Sequence, residues 1–212
     1  MFTSEIIVDD DVIDQPLQTA IIDVIRGRFF TWFACDDPEL TGDLDSYNYF
    51  KTITPNVFES PQMVHTFVHE GEINSSAANT ALIMLDKVCE KYKIKVNIHR
   101  IKVNLCQKVW CDNVDAHQTP HVDFREPHWS MIYYVDNSDG DTFIFDQRAY
   151  LNCEYEEIKT LTLKQRISPK KGRCLIFKGD QFHAGMHPRL HSFRTVINFN
   201  FTIDGIIENE NN

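Results

Sequence analysis

The sequence predicts a mainly β protein of the sandwich or jelly-roll type with helices flanking the sheet. Three observations carry that expectation. From Val96 onward the apolar pattern changes from helical spacing to period two. Short strand-like stretches then recur at 129–135, 142–145, 158–163, 173–178 and 194–202, with no helical stretches between them as a parallel α/β sheet would need. Turn residues separate them, notably Asn137-Ser138-Asp139-Gly140 and Lys178-Gly179-Asp180.

Ahead of this half lies a helical buttress. Residues 1–14 are acidic and suit a short strand and a loop, and Pro16 opens a helix where its missing N–H costs nothing. Leu17, Ile21, Ile22, Val24 and Ile25 give that helix an apolar stripe, and Gly27 ends it. Phe29, Phe30, Trp32 and Phe33 are expected in the core. Residues 36–60, rich in Asp, Pro, Gly and Tyr, read as a loop of the length that shapes substrate access. A second helix is expected over 61–70. A third begins near Ser75 or Ser76 and buries Ala77, Ala81, Leu82, Leu85, Val88, Cys89 and Tyr92. The division expected is 1–95 as buttress, 96–203 as β core, and 204–212 as a frayed tail.

The 212 residues suit one domain with a single sizeable core. Hydrophobic and charged fractions of 42% and 25% are ordinary for a globular protein. No apolar run approaches the ~18 residues that span a bilayer, and the first residues lack the pattern of an export signal. A cytoplasmic protein without membrane contact is expected. The formal net charge of -10 repels phosphate backbones, so nucleic acid is an unlikely partner. The densest basic run, Lys164, Arg166, Lys170, Lys171 and Arg173, reads as a solvated hairpin face. Six cysteines form no C-x-x-C pair, which argues against a zinc knuckle; Cys89 and Cys174 read as core thiols.

The chemistry concentrates between His121 and Arg194. Residues two apart on an extended chain share a face, so His121 and Asp123 aim at one spot. His183, read at the end of the apolar strand Cys174-Leu175-Ile176-Phe177, is the candidate third donor. Two histidines and one carboxylate leave coordination positions open on a bound Fe(II), the arrangement of non-haem oxygenases. Arg194 opens a strand with period-two patterning. An arginine entering a β core calls for an anion. Either the distal carboxylate of a dicarboxylic acid or an Arg–Asp pair at the barrel rim meets that need. His117 and His121 imitate a zinc pair, but that spacing suits a helix and this segment reads as loop and strand. His187 and His191 read as polar surface residues.

These segments resemble the iron(II)- and 2-oxoglutarate-dependent dioxygenases, and within them the prolyl 4-hydroxylase-like group. "TPHVDF" resembles the H-x-D segment, and "MIYYVDNSDGDTFIFD" the I-Y-Y strand and the Gly turn after it. "PKKGRCLIFKGDQFHAGMHP" resembles the stretch that ends at the distal histidine, and "RTVINFNF" the strand led by the 2-oxoglutarate arginine. The resemblance covers 96–202 and implies a double-stranded β-helix core. It implies His121, Asp123 and His183 as ligands of Fe(II), with Arg194 and Tyr134 on the C5 carboxylate of 2-oxoglutarate and O2 as second cosubstrate. Asn104 is a further candidate contact, and Arg189 the fallback for Arg194. Asp141 departs from the pattern, standing where the family often has a second glycine. The activity implied is hydroxylation of a C–H bond in a peptide, protein or small molecule, prolyl side chains included. The alternative is a cupin-like metal-binding module without oxygen chemistry. The 147–160 insert, with Glu154, Glu156 and Glu157, is expected to shape substrate access.

Overall fold

Asp14 starts the first helix, α1 (Gln15–Ile25): its side chain accepts the Leu17 N–H at 2.9 Å, and Pro16 occupies the first turn. Ile21 and Ile25 face inward. They meet Ala81, Met84, Leu85 and Val88 of the helix α3 (Ala78–Tyr92) in one apolar cluster. The structure, a computed structural model, describes residues 2, 4–35, 44–149 and 154–207.

Eleven strands follow in chain order among these residues. They are β1 (Ile6–Asp9), β2 (Phe33–Cys35), β3 (Gln62–His69), β4 (Glu72–Ile73), β5 (Ile94–Gln107) and β6 (Trp129–Tyr134). Then come β7 (Thr142–Arg148), β8 (Leu163–Ile167), β9 (Cys174–Lys178), β10 (Gln181–Gly185) and β11 (Phe193–Ile206). The large sheet has the order β1-β9-β6-β11-β5-β3-β2, with β4 on the end of β3, and the small one β10-β7-β8. All named pairings are antiparallel. Two antiparallel sheets face to face are the jelly-roll core the sequence leads one to expect.

Alternation divides each strand between two layers. On the large sheet Ile101, Val103, Met131, Tyr133, Ile197 and Phe199 join the cluster under α1 and α3. Ile132, Tyr134, Leu175, Phe177 and Val196 turn the other way and meet Ile144 and Ile167 of the small sheet. The outer face of the small sheet, with Phe143, Phe145, Phe182 and Ala184, is closed by Phe50 of the helix α2 (Leu44–Ile53).

Several sequence expectations need correction. Residues 62–69 form the strand β3, not a helix. Val64, Thr66, Phe67 and Val68 are β-branched or aromatic, and the segment pairs with β5 from Gln62 to His69. The positive-φ pair Glu70-Gly71 then folds it back onto β4. The 36–60 stretch holds α2, seated by Phe50; residues 36–43 lie outside the described residues. The strand expected at 158–163 begins only at Leu163, because Ile158 and Leu161 both pack against the α2 cluster instead of alternating. In the insert before it, Tyr155–Glu157 make a short 3-10 turn, and residues 150–153 lie outside the described residues. Asp204–Ile206 belong to β11, paired with β5 down to Ile94. Of the four aromatics after α1, Phe30 and Trp32 pack inward, but Phe29 is 91% and Phe33 58% exposed. The basic run is paired rather than merely solvated: Arg166 meets Asp141 and Asp115, Lys170 and Arg173 meet Asp10, and Lys164 meets Glu5. Cys174 is fully buried and Cys89 half-buried.

Candidate metal and cosubstrate site

His121 and His183 are joined through their backbones. Each donates its N–H to the other's carbonyl at 3.0 Å, an isolated antiparallel bridge that closes the edge of the small sheet. His183 therefore sits on its own strand, β10, and not at the end of the Cys174–Phe177 strand. The bridge brings the rings to 4.5 Å between centroids. The donor atoms of His121, Asp123 and His183 all lie within 4.8 Å of one another, and Asp123 approaches His183 Nε2 to 3.8 Å.

The ring orientations follow from their partners. Nδ1 of His121 lies 2.9 Å from the Thr119 carbonyl, and Nδ1 of His183 lies 3.2 Å from the Gln181 carbonyl. A carbonyl oxygen only accepts, so Nδ1 carries the proton in both rings and each Nε2 lone pair is free. Burial, with His121 adding, pushes His183 down to about 4, so it is neutral at physiological pH. Two imidazoles with Nε2 open and one carboxylate form a donor set that fits Fe(II).

Asp123 is held from three sides, none of them singled out by the sequence. Arg100 donates to Oδ1 at 2.5 Å; Ser130 and Asn200 donate to Oδ2 at 3.0 and 2.8 Å. Asn200 also bridges to Ser130 and accepts from Arg100 at 3.2 Å. Burial raises the Asp123 carboxyl, but Arg100, His183, His121 and the Asn200 hydrogen bond outweigh it, and the group stays well below the usual carboxylate range. The signal in the sequence is the polar face Arg100, Lys102, Asn104 on a strand whose other face is Ile101 and Val103.

At the other end of the interior, Arg194 is 4% exposed. Its Nε donates to the Gly140 carbonyl at 2.6 Å and an NH2 to Thr142 Oγ1 at 2.9 Å. Tyr134 donates its hydroxyl to the same Thr142 oxygen at 2.6 Å, and its ring lies 6.0 Å from the guanidinium carbon. Among the described residues no carboxylate lies within ion-pair distance of Arg194. The Arg–Asp rim pair is thus not what the described residues form. Gly140 makes the room: a Cβ there would stand 2.4 Å from the Met186 carbonyl and 2.8 Å from Arg194 Cδ. Asp141, the departure from the family pattern, turns outward to Arg166.

The remaining histidines separate. His187 is 3% exposed, not a surface residue, and both its ring nitrogens lack a partner among the described residues. Burial, with Arg194 adding, pushes it down to about 4. His191 is exposed and pairs with Asp139. His117 is buried with Nδ1 on the Gln118 carbonyl, and it is absent from the metal-donor group. Arg189 is tied by its backbone N–H to Asp139 and is not among the partners of Tyr134 or Thr142.

No helix is long and apolar enough to cross a membrane, among the described residues. No curated protein matches the sequence significantly. Among solved structures the fold is shared with a 2OG-Fe(II) oxygenase-family oxidoreductase from Burkholderia pseudomallei (12% identity, 95% of this chain and 87% of that one, TM-score 0.60). It is shared too with a Trichoplax adhaerens prolyl hydroxylase in complex with a hypoxia-inducible-factor peptide (9%, 94% and 84%, 0.59). A third is the viral collagen prolyl hydroxylase of Paramecium Bursaria Chlorella virus-1 (11%, 94% and 97%, 0.52). Residues 108–202 match the family model of the 2OG-Fe(II) oxygenase superfamily.

Proposed function

We propose that His121, Asp123 and His183 hold Fe(II), that Arg194 and Tyr134 take the distal carboxylate of 2-oxoglutarate, and that the enzyme hydroxylates a C–H bond of a peptide or small-molecule substrate. The observation that carries this is the shared bridge of His121 and His183. It sets two Nε2 lone pairs and one carboxylate within 4.8 Å while a buried, acid-free arginine closes the same interior.

When bound, the iron would couple decarboxylation of the 2-oxo acid and reduction of O2 to oxidation of the substrate. The protein's own part is positional. The Thr119 and Gln181 carbonyls fix both imidazole tautomers. Arg100, Ser130 and Asn200 fix the carboxylate. Arg194 presents a guanidinium fork to a carboxylate, and Tyr134 has a hydroxyl beside it. Burial lifts the Tyr134 phenol to about 12, against the pull of Arg194, so it remains a donor. Ile132, Ile144 and Val196 pack with Tyr134 between the sheets.

The test is spectroscopic and anaerobic. Fe(II) and 2-oxoglutarate together should give a weak visible charge-transfer band that neither gives alone and that His183→Ala abolishes. Metal binding without a band would favour the cupin-like module instead.

A further inference from the structure

Four residues of β5 face the chamber: Arg100, Lys102, Asn104 and Cys106. They lie opposite Asn200, Asn198, Val196 and Arg194 of β11 in unbroken register. Arg100 serves Asp123, and Cys106 lies against Arg194. Lys102 stands between, about 7 Å along the strand from Arg100 and about 13 Å from Cys106. Its neighbours across the sheet are Asn198 on one side and Thr66 of β3 on the other. Among the described residues Lys102 has no carboxylate within ion-pair distance. The side-chain oxygens of Asn104 and Asn198, on the same face, are buried without a hydrogen-bond partner.

The charges of the chamber do not close. Among the described residues three cations face it, Arg100, Lys102 and Arg194. Against them stand Asp123 and Glu59, a part-buried carboxylate that accepts the Thr119 N–H beside the His121 segment and acts on Cys106. Among the described residues Asp141 is paired with Arg166 and Asp180 with Arg148. A dication and a dianionic 2-oxo acid cancel, so loading the site leaves one positive charge over. Both carboxylates of that acid are already met, one at Arg194 and one at the metal. A half-buried ammonium without a counter-ion is costly unless a ligand supplies one.

We infer that Lys102, Asn104 and Asn198 form a recognition site for the primary substrate, and that the substrate is a monocarboxylate carrying neutral N–H or O–H donors. The ammonium takes the carboxylate, and the two open amide oxygens accept the donors. That chemistry belongs to an N-acylated amino acid or to a carboxylate within a peptide. A dianion would overshoot the single surplus charge. The lowering of the Lys102 pKa, caused by burial and then Arg100, accords with an ammonium short of counter-charge. The inference rests on the metal and cosubstrate assignment above.

The experiment uses the full chain, loaded anaerobically with Fe(II) and 2-oxoglutarate. Two probe sets are added, N-acetyl amino acids and the side-chain carboxylates of N-acetyl-aspartate and N-acetyl-glutamate amides, each beside its fully amidated neutral counterpart. Binding is read by perturbation of the visible band and by melting temperature; succinate formation in air follows. At least one carboxylate probe should bind tenfold or more tightly than its neutral counterpart. Lys102→Met should erase that difference, and Lys102→Arg should restore part of it. The first probe set responding indicates a free acid, the second a peptide side chain. Equal binding of neutral probes, no response to any probe, a preference that survives Lys102→Met, or a Lys102→Met defect confined to 2-oxoglutarate would each overturn the inference. A wild-type protein without the band would instead overturn the metal and cosubstrate assignment beneath it.

Discussion

The two ends of the chamber are built on opposite electrostatic plans. At the proposed metal end Asp123 is charge-matched within the chain: Arg100 pairs with it and Ser130 and Asn200 complete its hydrogen bonds. At the far end Arg194 is as deeply buried, yet its partners are a carbonyl and a hydroxyl, both neutral. The first end is assembled by the protein alone. The second, under the proposed function, is completed by the cosubstrate carboxylate. Removing one partner of a buried pair strands the other charge and costs stability, whereas Arg194 has no acid partner among the described residues and, under the proposed function, awaits an anion.

The largest effect that bears on this contrast is at the ligands. His183→Ala should abolish iron-dependent turnover, a loss of at least about 100-fold, measured as succinate formed per enzyme. Retained turnover would remove His183 from the centre.

Arg100→Met should destabilise the metal-free protein by about 2–4 kcal/mol in urea unfolding, because it strands the Asp123 charge in a buried site. Bound metal should recover part of that loss, since the dication replaces the lost counter-charge. Arg194→Met should leave ligand-free stability unchanged or raise it, since no acid partner is lost. If both variants lost stability alike, the ends would not differ as described.

Tyr134→Phe should raise the 2-oxoglutarate requirement about 10-fold, the loss of one hydrogen bond to a charged group, with iron affinity unaltered.

The smallest effect lies outside the chamber. Hydrogen bonds from Arg173, then Lys170, hold the Asp10 carboxyl at about 2. Its folded value is depressed, so its contribution is present above the ordinary carboxylate range and is lost as pH falls through about 2. Asp10→Asn should cost under about 1 kcal/mol near neutrality, and that difference should vanish in acid unfolding near pH 2.

The fold class was legible in the residues, and so was the convergence of His121, Asp123 and His183. His121, Asp123, His183, Tyr134 and Arg194 all lie on segments whose alternation or motif is local. What escaped reading needed tertiary partners. Gln62–His69 admits helical and extended readings, and pairing with β5 decides for the strand. His187 is polar and follows a loop-like run, but packing at the Arg194 end buries it. Arg100, Ser130 and Asn200 come from three strands that become neighbours only through β11. Nothing local in the sequence joins them to Asp123.

The most direct measurement is an anaerobic titration of 2-oxoglutarate into the Fe(II)-loaded protein, wild type beside Arg194→Met, with iron affinity measured in parallel. A buried arginine waiting for the dicarboxylate predicts at least tenfold weaker 2-oxoglutarate binding in the variant and the same iron affinity. Unchanged 2-oxoglutarate binding, or loss of iron together with it, would contradict the division of the chamber into a self-sufficient metal end and a ligand-completed anion end.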